Sequence, residues 1–135
     1  MKPGLTGLLA VAALAGCSGD DSEREPGPAE GAAQQVAAVI DRLESATRRG
    51  DFDVICDDLF AQAARVRAGG DDCAELLRST AGDVREPNIR ILSIRIDGER
   101  ADVRVRSQAE GQAPLEDTIE LVREDPGYRI AALGE

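Results

Sequence analysis

The chain has 135 residues, 42% of them hydrophobic and 2% aromatic, with 16 Lys+Arg against 26 Asp+Glu and no His. A net charge of −10 repels nucleic-acid phosphates and anionic lipid headgroups, which disfavours nucleic-acid binding and membrane contact through a basic patch. The absence of His removes any imidazole general base, and with only Phe52, Phe60 and Tyr128 as large rings the core must be Ala, Val, Ile and Leu.

The N-terminus is a targeting segment by its architecture. Lys2 supplies a positive charge, and Leu5 to Leu14 form an apolar run of about ten residues, the length of a secretory signal and about half that of a membrane span. Two cleavage readings compete. Ala13-Leu14-Ala15 fits ordinary secretion, with a soluble product starting at Gly16. Leu14-Ala15-Gly16-Cys17 resembles the lipobox of bacterial lipoproteins, in which the Cys thiol takes a diacylglycerol and the chain is cut just before it. The lipobox reading is preferred because the motif closes an apolar run. It makes residues 1–16 a lipoprotein signal peptide and Cys17 the lipidation site. The expected location is then the extracytoplasmic face of the cell membrane, held by lipid on Cys17, since two acyl chains anchor firmly where one does not. The abundance of Ala, Arg and Gly suggests a high-GC bacterial source, with an actinobacterium as the expectation.

With Cys17 acylated, Cys56 and Cys73 remain as an even pair in an oxidising compartment. A Cys56–Cys73 disulfide is expected, closing a loop of about 18 residues and contributing roughly 3 kcal/mol by loop entropy. The alternative is two buried free thiols. Two Cys without His fall short of a zinc set, so no metal is expected.

Residues 17–31 are read as a flexible acidic tether, rich in Asp, Glu, Pro and Gly and unable to bury apolar surface. The domain is expected over 32–135. Val36, Val39, Ile40 and Leu43 recur at helical spacing, predicting a helix over 34–49 stopped by Gly50. Asp51 is positioned to cap a second helix from Asp53 through Phe60 and on towards Arg67, broken by Gly69-Gly70. Asp72 is positioned to cap a third helix, with Glu75 in capping-box spacing and Leu76 and Leu77 facing inward.

From Asn88 the period changes to two. The β-branched run Ile89 to Ile96 slips phase near Leu92, which signals a bulge or a strand covered on both faces. Asp97-Gly98 signals a hairpin, Ala101, Val103 and Val105 share the inner face of a second strand, and residues 117–123 form a third. Asp125-Pro126-Gly127 turns the chain into a fourth strand over 128–133. Helices followed by an antiparallel meander of about four strands define an α+β class.

Three features resemble the nuclear transport factor two-like superfamily, whose cone fold is also that of SnoaL-type polyketide cyclases and ketosteroid isomerase. They are a long helix ending in Gly50-Asp51 before a short one, the hairpin Asp97 to Val103, and the terminal Leu121 to Ile130, where an aromatic follows the turn. The resemblance spans roughly residues 33–133. It implies N-terminal helices packed on a curved antiparallel sheet of about four strands, a cone-like α+β barrel with a cavity between, and it carries no activity over.

Enzymes of the superfamily commonly use a cavity Asp or His with Tyr or further acids. Here Tyr128 is read as core, and Asp53, Asp57 and Asp58 as solvated helix acids before any paired-acid site. Arg104 and Arg106 are read as coating the wet side of the sheet before binding an anion. The expected role is therefore a membrane-anchored, non-enzymatic binding or interaction module of the cell envelope, with no catalytic, cofactor or metal residues. Its ligand or protein partner is not specified by the sequence, and a homodimer is compatible with it. The alternative is a small isomerase, dehydratase or cyclase with a carboxylate buried in the cone cavity.

Overall fold

The computed structural model describes residues 28–134, as helices followed by a four-stranded sheet. Helix α1 (Pro28–Arg49) is followed by a single turn α2 (Phe52–Val54) that widens into a π-turn over Ile55–Leu59. Helix α3 (Gln62–Arg67), a 3-10 turn (Gly70–Asp72) and α4 (Cys73–Ala81) complete the helical layer. Strands β1 (Asn88–Asp97), β2 (Arg100–Gln108), β3 (Leu115–Glu124) and β4 (Gly127–Leu133) pair antiparallel in the order β1-β2-β3-β4. The α+β expectation holds in class, order and strand number.

Helix α1 begins at Pro28, six residues before the predicted start at residue 34, because Pro suits a first helical turn and Ala and Glu continue it. Ala32 is already buried, together with Val36, Ile40, Leu43 and Ala46, which form one stripe against the sheet. The helix stops at Gly50, whose φ of +73° is one that L side chains rarely adopt.

The second predicted helix is interrupted. Its backbone is extended at Phe60 (ψ 137°) and Ala61 (ψ 152°). There Phe60 forms a parallel bridge to Ile130, and the Ala61 N–H donates to the Ile130 carbonyl at 2.8 Å. A continuous helix would leave the β4 edge unpaired, so a tertiary bond overrides the local helical tendency.

Neither predicted Asp cap forms. The Asp51 carboxylate accepts from Arg49 Nε at 2.8 Å instead of capping. Asp72 sits in the 3-10 turn at ψ 6°, outside the extended conformation a capping side chain requires, so the capping box with Glu75 is not made. Leu76 is 43% exposed, contrary to expectation, while Leu77 packs on the core. Cys73 decides this: held at 1% exposure, it sets the phase of α4 so that Leu77 and Ala81, four and eight residues on, face inward.

In the sheet, a bulge at Leu92 lets both halves of β1 face the core. Ile91 pairs with Val105, and Ser93, not Leu92, pairs with Arg104. The extra residue allows Ile89 and Ile91 before it, and Ile94 and Ile96 after it, to share one side despite the broken alternation. Asp97 pairs with Arg100 across Gly98-Glu99, and Gly98 at φ +59° is the residue a type II′ turn needs first. Ala101, Val103 and Val105 are all buried. A second bulge lies at Ala131, between the pairs Leu121–Ile130 and Glu120–Ala132.

Candidate functional site

The apolar core lies between helices and sheet. Val36, Ile40, Leu59, Val103, Leu121 and Ile130 are each below 2% exposed and meet there, each contributing about 1.5–3 kcal/mol by burial. Phe52, Phe60 and Tyr128 are buried in the same cluster. Tyr128 is thus a core residue, with the Arg123 guanidinium 5.1 Å from its ring centroid.

Cys56 and Cys73 form a disulfide with Cα atoms 6.1 Å apart, within the usual span for such a bridge. Both residues are buried. The bond fastens the π-turn to α4 and so fixes the helical layer beside β4. Cys17 and the rest of the proposed anchor lie outside the described residues.

Among the described residues no charged side chain is buried. Asp57 and Asp58 are both surface acids held by arginines: Asp57 to Arg65 at 3.3 Å, Asp58 to Arg42 at 3.5 Å. Asp53 is exposed on the same segment. The three are therefore not gathered into a dry pair. Arg104 projects from the outer sheet face, 61% exposed, 3.6 Å from Glu116. Arg106 shares that face, opposite Arg90 on one side and Glu116 on the other. Among the described residues no cluster of His, Cys, Asp or Glu could hold a metal ion.

Concavity lies instead beside β4. An apolar groove of about 350 Å³ is floored by Phe60, Ala64 and Ile130 and walled by Ala68, Leu77 and Leu133. A wider polar groove of about 890 Å³ continues over the outer sheet face past Arg100, Arg104 and Thr118. Arg67, Ala131, Ala132 and Gly134 line both, so the two form one cleft. Arg67 reaches it from α3 and donates through Nη2 to the Ala131 carbonyl, at the bulge of β4. Sequence reasoning missed Arg67, and no local signal marks it: the contact joins residues 64 positions apart.

The sequence matches no family description and no curated protein. Solved structures do match in fold. An NTF2-like protein of unknown function from Silicibacter pomeroyi DSS-3 superposes with a TM-score of 0.55 at 17% identity, over 73% of this chain and 89% of that one. An NTF2-like protein of unknown function from Shewanella baltica OS155 gives a TM-score of 0.55 at 10% identity, over 79% of this chain and 93% of that one. Identities this low speak for the fold alone. The helical layer across a four-stranded antiparallel sheet is thus the α+β cone of the NTF2-like fold.

Proposed function

We propose that this protein is an extracytoplasmic lipoprotein, anchored by lipid on Cys17, whose NTF2-like domain binds a ligand or partner without catalysing a reaction. The observation that carries the reading is Leu14-Ala15-Gly16-Cys17 at the close of a short apolar run. Two further features support it. Cys56 and Cys73 are bonded to each other, which leaves Cys17 as the remaining thiol for acylation and suits an oxidising compartment. Among the described residues no helix is long and apolar enough to cross a membrane, so attachment would fall to the lipid.

The non-catalytic part of the reading rests on the wholly apolar core and the absence of buried charge among the described residues. An isomerase or dehydratase on this fold needs a carboxylate held dry beside its substrate. Asp57 and Asp58 on the helical layer are solvated and paired with arginine.

Metabolic labelling with a fatty acid in a bacterial host tests the anchor. The wild-type chain is expected to carry label and sediment with membranes, and Cys17→Ser to lose both. An unlabelled wild-type chain released to the medium would overturn the reading.

A further inference from the structure

We infer that the cleft along β4 is a binding site for a single-chain amphiphile with an anionic head, its tail in the apolar groove and its carboxylate or phosphate on Arg67. This deepens the binding-module reading and rests on it. The cleft changes character along its length. One end is apolar, made by Phe60, Ala64, Ile130 and Leu133, and small residues (Ala64, Ala68, Ala131, Ala132) leave room for a narrow chain. The other end is polar, with Arg100 and Arg104 beside Glu116, Asp117 and Glu120. Arg67 stands at the seam, lining both.

Charge selects the head. Among the described residues Arg67 has no carboxylate partner and donates a hydrogen bond to the Ala131 carbonyl. A guanidinium has five N–H donors, so most of its fork is available, and its planar geometry matches a carboxylate or phosphate. Arg100, in the same cleft, is likewise without an ion pair among the described residues, whereas Arg104 is engaged by Glu116 at 3.6 Å. The bond to Ala131 holds Arg67 in place, which lowers the ordering cost of binding. A volume of about 350 Å³ lies at the small end of ligand sites and suits one chain. Two acids lie close to the seam, Asp117 against Gly134 and Glu120 opposite Ala132, and they repel a second anion and so disfavour a polyanionic ligand.

Displacement of a dansyl-labelled fatty acid from the full chain tests this. Dodecanoate below its micellar concentration should displace the probe. Dodecyltrimethylammonium, with the same tail and opposite head, should be about tenfold weaker, the cost of one charge-assisted hydrogen bond. Acetate should not compete. Arg67→Gln should abolish the preference for dodecanoate over the cation, and Leu133→Asp, at an exposed residue of the apolar wall, should weaken both. Unchanged thermal melts for the two variants separate binding from folding. Phosphatidylglycerol vesicles distinguish a free amphiphile from a membrane surface: competition by vesicles alone, without dodecanoate, would overturn the inference. So would equal affinity for the two head groups, or no displacement at about 1 mM, where binding is worth only about 4 kcal/mol. Failure here leaves the labelling of Cys17 untouched, and failure of the labelling leaves this titration standing.

Discussion

The two edges of the sheet each carry a bulge, and the molecule treats them differently. On β4 the extra residue is Ala131, and its carbonyl is taken by Arg67. The same edge is closed by the Phe60–Ile130 bridge and by Arg129 Nη1 donating to the Asp57 carbonyl at 2.9 Å. On β1 the extra residue is Leu92, which is 41% exposed. That edge is tied only where it starts: the Glu44 carboxylate accepts from the Ile89 N–H at 2.8 Å and from Arg48, which donates to the Pro87 carbonyl. Beyond that tie, Arg90 and Arg95 stand along the strand, and charge with a bulge is how an exposed edge resists pairing with another chain. The β4 edge is protected by long-range hydrogen bonds, the β1 edge beyond its start by its own residues. The first depends on the helical layer staying in place, the second only at its start.

The largest expected effect separates the two edges by burial. Ile130→Ala, at 0% exposure on β4, should cost about 2–5 kcal/mol in urea unfolding, and Ile94→Ala, half-buried on β1, distinctly less. Equal costs would mean that the two edges are packed alike. Removing the disulfide with Cys56→Ser and Cys73→Ser together should cost roughly 3 kcal/mol. Amide exchange should then quicken at Ala61 and along β4 before it does in β1, because the bond holds the helices that cover β4.

Smaller effects belong to β1. Gly98→Ala forces an L side chain to φ +59° and should cost about 1–2 kcal/mol, visible as a lower urea midpoint. Glu44→Gln weakens the tie at the strand's start, and about 1 kcal/mol is expected because the group is partly solvated. Arg90→Val with Arg95→Val should change stability by less than about 0.5 kcal/mol, the usual range for surface sites. Its signature is self-association in sedimentation, since the unpaired edge loses its charge. A double variant that stays monomeric at high concentration would show that the bulge alone protects β1.

The sheet was legible residue by residue. Alternation in Ala101 to Arg106, the turn glycine at 98 and the phase slip at Leu92 are local signals, and each reappears as a strand, a hairpin and a bulge. The disulfide was legible from counting, because three cysteines with one assigned elsewhere leave a single pairing. The helical layer was less so. Leu76 and Leu77 both fit an inward stripe, and only the fixed Cys73 chose between them. The break at Phe60 answers to Ile130, a residue 70 positions away. No periodicity within the helix encodes that.

The cleft was the least legible. Its floor comes from the extended Phe60 after the π-turn, α3 and β4, and Arg67 joins it through a hydrogen bond to the Ala131 carbonyl at the β4 bulge. What the chain determines alone is whatever is settled among near neighbours: backbone freedom at glycines, side-chain alternation, and the count of sulfurs. What the folded state decided is which helix face turns inward, where a helix yields to an edge strand, and which arginine ends beside an apolar groove. Those outcomes depend on burial and on hydrogen bonds between distant segments, whose energies exceed the few tenths of a kilocalorie by which local preferences differ.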